Sequence, residues 1–208
     1  MKRVVCYGDS NTWGYNPATS MRYPRNEQWT SVMQRELGDD YEVIDEGLNG
    51  RTTVWEDPIE EYKCGKEYII PCIKTHQPFD LLIILLGTND LKKRFSLAAY
   101  DIAEGARTLI RLARSTQDVH GGAPPDILLM APPPMEQPTE YAAMFEGAVE
   151  KSRLFGQEFS RVAREESCHF LDCGQHVRSS PVDGIHFDRE ELPKLGAAVA
   201  TKVREILG

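Results

Sequence analysis

Four short blocks of the chain carry residue types that together could move an acyl group: Gly8-Asp9-Ser10-Asn11, Gly47-Leu48-Asn49-Gly50-Arg51, Gly87-Thr88-Asn89-Asp90 and Asp183-Gly184-Ile185-His186. A serine hydroxyl attacks a carbonyl effectively only when a base takes its proton, and imidazole titrates close enough to neutrality to do so. A carboxylate on the far ring nitrogen fixes the tautomer and stabilises the imidazolium. Asp183 lies three residues before His186 in a glycine-containing turn, so one loop could supply both base and orienter. The tetrahedral intermediate carries negative charge on the former carbonyl oxygen and needs donors already in place. The N–H groups of Ser10 and Gly50 and the side-chain amide of Asn89 could supply three. The catalytic candidates are therefore Ser10, Asp183 and His186, with Ser10, Gly50 and Asn89 as the oxyanion hole.

Gly-Asp-Ser alone reads as a turn in most chains, since all three residues favour turns. What raises it above that reading is the company of Asn89 and the Asp183/His186 turn. Asp9 and Asp90 are expected to brace loops through backbone hydrogen bonds rather than to act on substrate. Trp13, Tyr15 and Trp55 offer aromatic surface for a substrate pocket, to which Asn11 and Ile185, beside the candidate nucleophile and base, are added. Arg51 could meet an acidic substrate or a neighbouring carboxylate, and the second is expected. His76, His120, His169 and His176 have no carboxylate or serine at a telling spacing; His169 reads as a hydrogen-bonded strand residue and the others as solvated.

The elements that would position these residues follow from the apolar pattern. Strands are expected over Arg3 to Tyr7, Tyr41 to Asp45, Leu81 to Leu86, Asp126 to Met130 and His169 to Leu171. The third is apolar throughout, as for a central strand covered on both faces. Helical spacing appears from Glu27 to Leu37, after a Ser96 cap through Ile102, Ala106, Leu109 and Ala113, and around Tyr141 to Glu166. It appears again in a last helix introduced by an Asp188/Glu191 capping box. No repeat, low-complexity tract or linker divides residues 1–208. Strand–helix alternation of this kind predicts one α/β domain: three layers around a five-stranded parallel sheet, flavodoxin-like in architecture. In such sheets ligands bind beyond the carboxyl ends of the strands, where the blocks above fall.

Composition narrows the partners. With 208 residues, 41% hydrophobic and 27% charged, the chain suits one well-filled core and has no apolar run able to span a bilayer. The net charge of −8 leaves no basic stripe for phosphates, which argues against nucleic acid. Five cysteines, odd in number and without C-x-x-C pairs, read as free thiols in a reducing compartment, and the opening residues lack signal-peptide form, so a cytoplasmic location is expected. No metal or cofactor is implied by the residues.

The four blocks, in this order, resemble those of the SGNH, or GDSL-type, hydrolases, and the likeness runs from position 8 to 187. The wording Gly8-Asp9-Ser10-Asn11-Thr12-Trp13-Gly14 and Glu46-Gly47-Leu48-Asn49-Gly50-Arg51-Thr52-Thr53 is similar to the bacterial arylesterase/acyltransferase branch, where Asn49-Gly50 departs from a familiar Ser-Ala. The resemblance implies a cofactor-independent esterase acting on small aryl or alkyl esters, with acyl transfer to alcohols as a secondary activity. It also implies a homo-oligomer, an octamer in that branch, and assigns Ser10, Gly50, Asn89, Asp183 and His186 the roles given above. A thioesterase or carbohydrate deacetylase would use the same machinery. A flavodoxin-like binding module, with Ser10, Thr12 and Gly14 cradling a phosphate, is the non-enzymatic alternative, and it leaves Asn89 and the Asp183/His186 turn without a role.

Overall fold

In the computed structural model, which describes residues 1–116 and 124–208, all five expected strand segments join one parallel sheet. They are β1 (Lys2–Gly8), β4 (Tyr41–Gly47), β5 (Leu81–Leu85), β6 (Asp126–Ala131) and β7 (His169–Asp172), in the order β4-β1-β5-β6-β7. A two-stranded ribbon, β2 (Tyr15–Asn16) with β3 (Met21–Arg22), lies outside the sheet and outside the sequence reading. The central strand β5 buries every residue, and alternate side chains feed two cores. Leu82 and Ile84 face α3 (Gly65–His76), α4 (Ala99–Ser115) and α6 (Phe155–Glu165). Leu81, Ile83 and Leu85 face α2 (Trp29–Leu37) and α7 (Glu191–Leu207). The result is the expected single three-layer α/β domain. No helix among the described residues is long and apolar enough to cross a membrane.

Four local expectations are corrected. Helix α3 was not foreseen: Pro71 in its middle removes a backbone donor and reads as a breaker, yet burial of Ile69, Cys72 and Ile73 holds the helix together. Ser96 does not cap α4. It sits in the left-handed region at φ 53°, and the helix starts beyond it, with the Ala98 N–H donating to the Asp101 carboxylate at 3.2 Å. The single helix expected around 141–166 is instead a turn, a short α5 (Ala148–Ser152) and α6. Gly147, at φ 76°, closes the turn that carries Phe145 into the core, a path that a continuous helix could not follow.

The Asp188/Glu191 capping box also does not form. Asp188 accepts the Ser180 hydroxyl at 2.7 Å and Glu191 accepts the Arg178 N–H at 3.1 Å, so both carboxylates fasten the preceding loop rather than the helix end. Of the remaining histidines, His169 is exposed on the edge strand and His176 is exposed in the loop that follows. His76 is not simply solvated: its Nε2 meets Glu46 Oε1 at 2.6 Å. His120 lies outside the described residues.

Candidate active site

The strand order reverses between β1 and β5, and the site is assembled at the carboxyl ends beside that point. Gly8 and Gly47 end β1 and β4 directly opposite each other. A Cβ on Gly8 would lie 2.1 Å from Thr12 Oγ1, and one on Gly47 would lie 2.2 Å from the Trp13 nitrogen. Only bare glycines therefore let the short helix α1 (Ser10–Trp13) settle onto the strand ends. Asp9 caps it, its carboxylate accepting the Asn11 N–H at 3.0 Å. Burial pushes the Asp9 carboxyl up to about 6, against the pull of that N–H and of the His186 and Arg51 charges. Ser10 is the first helical residue, and its N–H has no protein acceptor among the described residues.

Across the sheet ends, His186 Nε2 is 2.8 Å from Ser10 Oγ, and His186 Nδ1 is 2.6 Å from Asp183 Oδ2. The other Asp183 oxygen accepts the N–H groups of Ile185 at 2.8 Å and His186 at 3.0 Å. Gly184 makes this tight turn possible at φ 82°. Burial alone would raise the Asp183 carboxyl. The hydrogen bond and charge of His186 and the two backbone donors outweigh it and hold the group below the ordinary carboxylate value. The Tyr15 ring lies over the imidazole, with centroids 4.1 Å apart, and its hydroxyl is 3.3 Å from that of Tyr141.

Asn89 follows β5 in a 3-10 turn (Asn89–Leu91) and donates one amide hydrogen to Arg51 O at 3.1 Å. A primary amide has two such hydrogens, and among the described residues none of the protein's acceptors takes the second. The N–H of Gly50, at φ 82°, is likewise without a protein acceptor among them. Asp90 braces the loop as expected, gripping the Thr53 N–H at 3.0 Å and the Thr53 hydroxyl at 2.5 Å. Arg51 corrects its expectation, since it meets no carboxylate among the described residues. Its guanidinium donates to Gly8 O at 2.8 Å and to Glu46 O. The same group lies 4.2 Å from the Tyr7 ring centre and 5.4 Å from that of Tyr68, held over both rings as a cation on aromatic faces.

Ser10, Gly50, Asn89 and His186 all line one cleft of about 320 Å³, walled also by Tyr15, Ile185, Tyr141 and Phe145. Three pocket candidates fall elsewhere. Asn11 is buried and off the cleft wall, with its backbone carbonyl accepting the Trp29 indole N–H at 3.1 Å, and Trp13 stacks on the Arg22 guanidinium at 4.9 Å. Trp55 is not on the cleft wall either. The sequence reading missed Glu60, Lys92, Tyr141, Met144 and Phe145, which do line it. Lys92, two residues past the Gly87–Asp90 block, was the one with a positional signal. Among the described residues, one group has metal-type donors close together: Glu46, Cys72 and His76, none of them on the cleft wall.

Comparison with known proteins identifies the family. A family model described as the GDSL-like lipase/acylhydrolase family matches residues 6–190. A carbohydrate acetylesterase from Sinorhizobium meliloti superposes with a TM-score of 0.96 at 35% identity, covering 100% of both chains. The native aryl esterase of M. smegmatis superposes with a TM-score of 0.95 at 38% identity, again over 100% of both. A lipolytic G-D-S-L family protein from Veillonella parvula, at 16% identity and a TM-score of 0.70, shares the fold. No curated protein matches the chain at a significant level. With its four blocks gathered at one sheet edge and the family match spanning most of its length, the chain belongs to the GDSL-like lipase/acylhydrolase family, and it is an ester hydrolase of that family.

Proposed function

We propose that the protein hydrolyses small acyl esters through an acyl-enzyme on Ser10. Ser10 Oγ attacks the ester carbonyl as His186 Nε2 takes its proton, and Asp183 keeps Nδ1 protonated and facing it. The negative charge that forms rests on the N–H groups of Ser10 and Gly50 and on the free amide hydrogen of Asn89. His186 then protonates the leaving alcohol, and a water molecule, deprotonated by the same imidazole, releases the acid. The observation that carries this reading is the continuous chain from Ser10 Oγ to His186 at 2.8 Å and on to Asp183 at 2.6 Å, opening on the cleft. The aryl esterase and carbohydrate acetylesterase relatives support small acyl groups on aryl or sugar alcohols as the substrate class. The pocket role extends to Tyr15 and Ile185.

Three finer readings belong to the same proposal. Acyl transfer to alcohols is a secondary activity, supported by the Tyr15, Tyr141 and Phe145 surface on which an organic alcohol can lie near the acyl-enzyme. The protein works as a homo-oligomer of one-domain chains (residues 1–208). It acts in the cytoplasm, where its five unpaired cysteines suit a reducing environment.

The test is a series of p-nitrophenyl esters of increasing chain length, run with and without benzyl alcohol, on wild type and Ser10→Ala. Turnover and fluorophosphonate labelling are expected in the wild type and neither in Ser10→Ala, with a minor benzyl ester product. Labelling of Ser10→Ala at another serine would overturn the nucleophile, and benzyl ester at background level would overturn transfer.

A further inference from the structure

A knot of four charges sits against the candidate oxyanion hole, and neither the sequence reading nor the proposed mechanism uses it. Lys92 Nζ lies 3.2 Å from Asp57 Oδ2 and 2.7 Å from Glu60 Oε1, with the Lys92 and Asp57 side chains 2% and 0% exposed. Arg94 closes the knot, 3.0 Å from Asp57 and 2.6 Å from the same Glu60 oxygen. Two cations and two anions cancel, so the group imposes no net charge on a developing oxyanion nearby. Ion pairs so deeply placed are costly to desolvate and are not needed to hold a fold.

The unshared atom is the informative one. Both cations bind Glu60 Oε1, and Oε2 accepts no hydrogen bond from any described residue. A Cβ built on Gly50 would lie 2.8 Å from this Oε2. The carboxylate therefore occupies the space that any side chain at position 50 would fill, beside the Gly50 N–H, and both Glu60 and Lys92 line the cleft. Lys92, with three ammonium hydrogens and two of them committed to Asp57 and Glu60, has a third for a ligand. An acceptor and a donor side by side, each oriented by a buried partner, match a hydroxyl group, which both gives and takes a hydrogen bond.

We infer that Glu60, with Lys92 beside it, is a specificity-determining subsite that reads a hydroxyl of the substrate, directing the esterase toward esters of polyhydroxylated compounds. This rests on the esterase reading of Ser10 and names the substrate class for the same cleft. A purely aromatic ester leaves Oε2 facing water and gains nothing from it. A monoacetylated sugar with free hydroxyls satisfies Oε2 and the Lys92 donor in the bound state.

The test reads the ratio of kcat/KM for 6-O-acetylglucose to that for phenyl acetate, in wild type and in Glu60→Ala. The ratio is expected to fall about 10- to 100-fold, the range for losing a hydrogen bond to a charged group. Glu60→Met, which keeps the bulk and loses both oxygens, reads the same ratio if Glu60→Ala unfolds. Equal losses on both esters, or no loss on either, would overturn the subsite while leaving the esterase intact. Absence of wild-type turnover on both esters would instead overturn the esterase reading and the subsite with it.

Discussion

Asn89 holds Arg51 O with one amide hydrogen and has a second that could meet charge present only in the transition state. Asn89→Ala is therefore expected to lower kcat by roughly 10²–10³-fold with little change in KM. Steady-state kinetics decide it, and a change confined to KM would mean the amide holds substrate instead. Asp90, by contrast, acts through the fold. Burial pushes its carboxyl up to about 6, the Thr53 donors pulling it back and the Asp9 charge adding to the rise. An unfolded aspartate ionises near 3.8, so between that value and about 6 the native state keeps the proton, and the group's contribution to stability falls as pH rises. Asn cannot titrate. The stability of Asp90→Asn relative to wild type should thus rise from about pH 4 to about pH 6, by at most about 3 kcal/mol, in urea unfolding across that window. Parallel profiles for the two proteins would refute the shift. At this scale the sequence was most readable where chemistry demands a residue type: Ser10, His186 and Asp183 lie within hydrogen-bonding reach in series, and Asn89 lines the same cleft. It was least readable for Glu60, whose place in the cleft depends on a chain path that brings residue 60 against Gly50.

Elements were legible where burial repeats with a clean period. The apolar run of β5 and the Leu192, Leu195, Val199, Val203 stripe of α7 each identify their element without help from the rest of the fold. Helix α3 and the broken 141–166 segment were not legible, because in both the local signal is overruled by what a distant surface buries. The same tension makes a prediction for α7. Gly196 faces α2 so closely that a Cβ would sit 2.6 Å from Val32 Cβ and 2.7 Å from Trp29 O, and backbone cannot move aside cheaply. Gly196→Ala is expected to cost about 1–3 kcal/mol in chemical unfolding despite the better helix propensity of alanine. A stability equal to or above wild type would show that the two helices separate easily.

Across the whole molecule, the chain carries a net charge of −8, and one loop adds three exposed apolar side chains. Trp55, Ile59 and Tyr62 are exposed there, Tyr62 by 87%. Large apolar side chains exposed close together in sequence are candidates for contact with another chain. The proposed homo-oligomer is expected to use this loop, so Ile59→Asp with Tyr62→Asp should sediment as a smaller species than wild type. A wild type that sediments as a monomer would refute both the assembly and its surface. Nothing in the residue pattern announced this loop, since exposure is a property of the finished fold. The hydrogen bond between Ser10 and His186 joins positions 176 apart and has a consequence in time. A ribosome adding about 5–20 residues per second needs roughly 10–35 s to travel from one to the other. Throughout that interval the emerging polypeptide carries Ser10 without its proposed base, so no ester is expected to be cleaved before residue 186 has been made.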